Sequence, residues 1–237
     1  MHRRFFAQGI HEINQEITLN QEESYHLSVV LRAKPGSMVT LLDGKGKCAE
    51  AEVLDPGSKR QQALCKIKHI KVIQAPKCLI TLYVSMPKGK LMNQIIKQST
   101  EMGVSKIYPM ISDRCERKVK EKDHDIWRQA ALEACKQSIN PFLPEIAEVK
   151  SFGDCLEQSS PGYIAYIPNE KQAFSGQSVE SQEISLWIGP EGGFTENEIN
   201  QCIESGLVPL AFAPWVLRVV TAVVAGLALI NERHNLI

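Results

Sequence analysis

The residues best suited to chemistry lie in the stretch ISLWIGPEGGFTENE, residues 184–198. Gly189, Pro190, Glu191, Gly192 and Gly193 follow one another there. Glycine lets backbone come close to a ligand because no Cβ intervenes, so this run is a candidate cradle that binds through main-chain groups. Its spacing is neither G-x-x-x-x-G-K-[ST] nor G-x-G-x-x-G, and Glu191 would repel a pyrophosphate. A charged ligand other than a phosphate suits it, although a tight turn with no ligand uses the same residues. Further on, Arg218 closes the segment APWVLR, residues 213–218. An arginine cannot serve as a base, but it can stabilise a developing oxyanion. Phosphate anchoring is the competing role for the same side chain. Trp215 in this segment is a candidate for stacking on a nucleobase, whereas Trp187 sits in an apolar run and reads as core.

The elements that must position these groups follow from the flanking pattern. Residues 184–188 are mostly apolar and read as a buried strand. Thr195 followed by Glu198 forms a capping-box signature that opens a helix. The order is therefore strand, glycine loop, helix, and in an open parallel sheet ligands bind beyond the carboxyl end of such a strand. Upstream, strands are expected at residues 79–85, 107–111, 146–149 and 163–167, with helices at 91–102, 126–138 and 152–158. A further strand is expected at 207–212 and a strongly apolar helix at 219–233. That helix needs cover on several faces, from the core or from a second subunit. This alternation predicts an α/β domain with a mostly parallel sheet over residues 77–237. Residues 1–73 have another rhythm: a helix at 21–32 opened by Asn20 and stopped by Pro35-Gly36, then short strands at 38–43, 47–54 and 63–73 separated by Gly and Pro turns. They predict a small β-rich module.

Composition narrows the class. Hydrophobic residues make up 43% of the 237, as in ordinary globular proteins. No apolar run approaches the roughly 18 residues of a membrane span. The seven cysteines are scattered with no C-x-x-C pair, which argues against a disulfide framework or zinc ribbon and for a reducing, cytoplasmic setting. Net charge is zero but unevenly placed. Residues 1–150 hold 24 Lys and Arg against 17 Asp and Glu, and residues 151–237 hold 3 against 10. A basic front suggests a polyanionic partner, and Arg3-Arg4-Phe5-Phe6 pairs cations with rings in a way that suits nucleic acid, or an N-terminal strand with a buried ring.

Three segments together resemble one family. HLSVVLRAKPG (26–36), KQSTEMGVSKIYP (97–109), and IGPEGGFTENEI (188–199) with LAFAPWVLRVVTA (210–222) are similar to the ribosomal RNA small-subunit methyltransferase E family of the SPOUT superfamily. The resemblance implies methyl transfer from S-adenosyl-L-methionine to N3 of a uridine near the 3′ end of 16S ribosomal RNA. It implies a PUA-like RNA-binding β-barrel domain before a SPOUT domain with a C-terminal trefoil knot, and a homodimer. By the same resemblance Gly189 to Gly193, Phe212, Leu217 and the strand end at Ile167 would hold the cofactor. Arg4, His26, Arg32 and Lys88 would meet RNA, and Arg218 would act on the base. No metal is implied. The chain departs from the family pattern at Ala213, where glycine is usual, at Trp215, where a cation is usual, and at Val220, where an acid is usual. A ribose 2′-O-methyltransferase of the same superfamily and an RNA-binding protein without catalysis remain the alternatives.

Overall fold

The computed structural model describes residues 4–115, 122–166, 179–211 and 213–236. The chain divides into two compact units, Met1–Ala75 with Leu132–Leu143, and Pro76–Ala131 with Pro144–Ile237.

The first unit is built on a five-stranded sheet. Its strands are β1 (Arg4–Phe6), β2 (Glu16–Thr18), β3 (Met38–Leu42), β4 (Lys47–Asp55) and β5 (Leu64–Val72), in the order β1-β3-β4-β5-β2. β1 runs parallel to β3 and the other neighbours are antiparallel. Alternation puts Ala49, Ala51 and Val53 of β4 and Cys65 and Ile67 of β5 on the buried face, with Phe5, Leu27 and Leu41. β2 carries only one buried apolar residue, Ile17, which leaves too little pattern for a strand to be read there. Asn20 caps α1 (Gln21–Tyr25) by accepting the Glu23 N–H. The expected helix to residue 32 does not stay α-helical: His26–Val30 widens into a π turn, in which the Leu31 N–H reaches the His26 carbonyl. Arg32 then ends it in the left-handed region, φ +49°.

Residues 132–143 belong to this unit through specific bonds. Arg4 Nη1 donates to the carbonyls of Lys136 and Gln137 at 2.9 and 2.7 Å, at the C-terminal end of α3 (Asp123–Ser138). These are carbonyls that a helix end leaves unpaired. Lys136 pairs with Glu23 at 2.8 Å, the Glu23 side chain being 7% exposed. The Gly46 and Leu143 amides donate to the Pro141 and Gly44 carbonyls.

The second unit is organised by a parallel sheet. β6 (Leu79–Ser85), β7 (Lys106–Ile111), β8 (Glu145–Ile146), β10 (Gly162–Ala165), β11 (Glu183–Ile188) and β12 (Val208–Leu210) lie in the order β12-β10-β11-β6-β7-β8, and β9 (Lys150–Ser151) also pairs with β7. Every one of these pairings is parallel. Strands covered on both faces read as continuous apolar runs, and Ile184 to Ile188 are all buried. Where one strand was expected over 146–149, the chain makes the two short pieces β8 and β9. At Gly162 a Cβ would strike the Ser185 backbone of β11, so the two strands approach more closely than a side chain permits.

The helices of this unit are α2 (Leu91–Glu101), the first part of α3, α4 (Phe152–Glu157), α5 (Glu196–Glu204) and α6 (Val219–Arg233). α6 buries Val219, Val223, Leu227 and Ile230 and packs on α2 and β11. Leu227 is fully covered by its own chain, so its apolar character is explained without a second subunit. No helix among the described residues is long and apolar enough to cross a membrane.

Candidate functional site

A cleft of about 540 Å³ opens beyond the carboxyl ends of β10, β11 and β12, where Ala165, Ile188 and Leu210 line it. One wall is the glycine loop, with Gly189, Pro190, Glu191, Gly193 and Phe194. The opposite wall is Ala213, Trp215, Val216 and Leu217, continuing into Val219 and Ala222 of α6. Arg114, Tyr166 and the first turns of α5 complete it. The size suits a drug-sized ligand, and the lining combines apolar surface with few charged groups.

The loop is held in one shape by its own bonds. The Gly193 N–H donates to the Pro190 carbonyl at 2.8 Å, closing a turn. Gly193 has φ +68°, which favours glycine. A Cβ on Gly189 would lie 3.1 Å from the Phe194 nitrogen and 3.2 Å from its ring. A Cβ on Gly192 would meet nothing closer than the Arg114 side chain at 3.4 Å. Gly192 borders a second, smaller cleft with Lys88, Asp113, Arg114, Cys115 and Glu191.

The carboxylates here organise backbone. Glu191 Oε1 accepts the Lys88 N–H at 2.9 Å. Glu198, 2% exposed, closes the capping box by accepting the Thr195 N–H at 2.8 Å while Thr195 Oγ accepts the Glu198 N–H. Its other oxygen accepts the Asp113 N–H at 2.9 Å. Arg114 Nη1 donates to the Gly192 carbonyl at 2.7 Å and to the Phe194 carbonyl at 3.3 Å.

Beneath the loop lies an aromatic core. Trp187 stacks on Tyr83 at 4.4 Å and meets Phe152 edge-on, and Phe152 in turn meets Phe194. Trp187 is therefore core, in keeping with its strand position, whereas Trp215 is 78% exposed at the cleft. Burial pushes the Cys155 and Cys202 thiols up to about 12, so neither supplies a thiolate nucleophile at neutral pH. Among the described residues no cluster of three His, Cys, Asp or Glu could hold a metal.

The structure brings together Gly189, Pro190, Glu191, Gly193 and Leu217 around one cleft, and sets Gly192 and Lys88 at the neighbouring one. Ile167 and Phe212 lie outside the described residues. Arg218 is the N-cap residue of α6; its carbonyl accepts the Ala222 N–H and its side chain is exposed, outside the lining of the main cleft. In the first unit, Arg4 grips a helix end, His26 lies edge-on to Phe5 at 5.9 Å, and Arg32 is exposed.

A model of the RNA methyltransferase domain family matches residues 74–231. Over 226 residues the chain is 30% identical to the ribosomal RNA small subunit methyltransferase E of Synechocystis, covering 92% of this chain and 74% of that one. The chain belongs to the ribosomal RNA small subunit methyltransferase E family. A crystal structure of that enzyme from Neisseria gonorrhoeae bound to S-adenosyl methionine superposes with a TM-score of 0.88, at 28% identity and 98% coverage of both chains. A methyltransferase from Legionella pneumophila with bound cofactor SAM gives the same TM-score at 27% identity, again over 98% of each.

Lining residues that the sequence did not assign to this cleft include Arg114, Tyr166 and Asn200. Arg114 stands at the edge of a charge-dense run, residues 113–122, where solvated surface is the ordinary expectation. Its position just past the end of β7, the neighbour of β6, was the available signal. Tyr166 and Asn200 carried none: Tyr166 is one residue past the end of β10, and Asn200 lies inside α5.

Proposed function

We propose that this protein transfers a methyl group from S-adenosyl-L-methionine to N3 of a specific uridine in 16S ribosomal RNA. The observation that carries the reading is the cleft between the glycine loop and residues 213–219, in a chain of the methyltransferase E family. Its residues fit the cofactor. Ile188, Leu210, Leu217 and Val219 offer apolar cover for an adenine, and Gly193 leaves open space where a side chain would stand. When bound, the cofactor supplies an electrophilic methyl group on a cationic sulfur. The carboxylate of Glu191 lies in the loop wall and favours that cation, although its bond to the Lys88 N–H also makes it part of the scaffold.

The chain's own task is to handle the N3 proton and the charge its loss creates. Uracil N3–H is weakly acidic, and N3 attacks only as the proton leaves. Arg218 stands at the rim, at the start of α6, and is assigned to stabilise the uracilate oxygen. Arg32 in the basic first unit is assigned to RNA, as are Lys88 and His26. Arg4 shares that assignment through whatever surface its helix contact leaves. Residues 1–73, which carry the five-stranded sheet of the first unit, are read as the PUA-like RNA-binding domain, and residues 77–237 as the SPOUT domain, although residues 132–143 pack with the first unit. A knotted C-terminal region belongs to the same reading. A cytoplasmic homodimer acting on the small ribosomal subunit completes the reading.

The test is a comparison of 16S ribosomal RNA from cells with and without the gene. An N3 methyl group blocks base pairing, so reverse transcription stops at one uridine only when the gene is present. Protection of a neighbouring bond from alkali at the same site would instead identify a ribose 2′-O-methyltransferase. No difference at any nucleotide, from a protein that does not bind the cofactor, would identify an RNA-binding protein without catalysis.

A further inference from the structure

The structure assigns Arg114 as a positioning residue that holds the glycine loop in its ligand-binding shape, an inference that rests on the methyltransferase reading above. The loop has two peptide groups fixed at both ends. In the peptide joining Gly192 to Gly193, the carbonyl accepts from Arg114 and the N–H donates to Pro190. In the peptide joining Phe194 to Thr195, the carbonyl accepts from Arg114 and the N–H donates to Glu198. One guanidinium therefore determines the orientation of two peptide planes, since a planar peptide cannot turn one end without the other.

The stem of Arg114 adds to this grip. Its Cδ and Cβ would stand 3.4 and 3.5 Å from a Cβ placed on Gly192, so it runs close along the outer side of the turn. The neighbouring Asp113 secures the same junction from its own backbone, donating to Glu198 Oε1 at 2.9 Å. Its carboxylate lies 3.3 Å from Thr195 Oγ. The loop after β7 thus clips the glycine loop to the capped start of α5. Both bonds leave one nitrogen, Nη1, so the two carbonyls share a single donor group held by a planar, always-charged guanidinium.

Arg114 acts on the cofactor through the loop, and its effect belongs on cofactor affinity. Arg114→Gln keeps most of the stem and removes the charged guanidinium. Calorimetry with S-adenosyl-L-methionine should show its dissociation constant raised about tenfold, consistent with loss of charge-assisted bonds. The KM for the same cofactor should rise in step, with kcat at saturating cofactor kept. Arg114→Lys should recover part of the affinity. Wild-type cofactor affinity in Arg114→Gln would overturn the assignment, as would weakened RNA binding or lowered kcat with cofactor affinity intact. A wild-type protein that binds no S-adenosyl-L-methionine would overturn the methyltransferase reading itself, a result separate from a difference between variants.

Discussion

Gly189 and Gly192 differ in what a methyl group would meet, and so in what their substitution should do. At Gly189 an added Cβ sits 3.1 Å from the Phe194 nitrogen, and the loop must shift to admit it. At Gly192 the same atom makes ordinary contact with an arginine stem, outside the main cleft. Gly189→Ala should weaken cofactor binding about tenfold or more, and Gly192→Ala should leave it within about threefold, measured by calorimetry. The glycine-rich pattern alone does not rank the two positions. What separates the two glycines is the fold-back of Phe194, which no pattern of residue types reveals. The cysteines give a second expectation at this scale. Five are buried, and Cys48 and Cys115 are half-buried. Iodoacetamide on the native protein should label only those two at an appreciable rate, and the rest on unfolding. Labelling of Cys202 in the native state would mean that α5 opens from the core.

At the scale of elements, α6 and β10 carry the clearest consequences. Leu227 is fully buried, so Leu227→Asp should unfold the protein by placing an unpaired charge in the core. Ala228 is on the exposed side of the same helix. If a homodimer forms through that side, Ala228→Arg should shift sedimentation toward monomer and leave thermal stability of the fold near wild type. Gly162→Ala should destabilise, because β10 and β11 leave no room for a Cβ at Ser185; a small fall in Tm would mean that the pair can separate at low cost.

Much of this layer was legible beforehand. β6 and the extent of α6 follow from apolar run length and period, and the start of α5 follows from Thr195 and Glu198. The π turn at His26–Val30 was not, because its apolar period mimics a helix and only the hydrogen-bond pattern distinguishes it. Nor was β2, whose pairing to β5 is a matter of backbone reach. The task of Arg4 was hidden for a similar reason: Lys136 and Gln137, whose carbonyls it meets, are distant in sequence.

For the whole molecule, the division of charge implies a division of labour. The basic residues concentrate in residues 1–150, whereas the glycine loop lies in the acidic remainder. Arg32→Ala should weaken RNA binding and lower its salt slope by about one unit if it neutralises one phosphate, while cofactor affinity stays at wild type. Arg4 is a poorer probe, since its loss also frees the end of α3. Arg218→Ala should keep both ligands and slow turnover by about a hundredfold if the guanidinium stabilises the uracilate. The most direct test combines purified protein, small ribosomal subunits or their RNA, and S-adenosyl-L-methionine carrying an isotopically labelled methyl group. After digestion to nucleosides, mass spectrometry should find the label in 3-methyluridine at one site. Label in a ribose-methylated nucleoside, or none in RNA despite bound cofactor, would contradict the account.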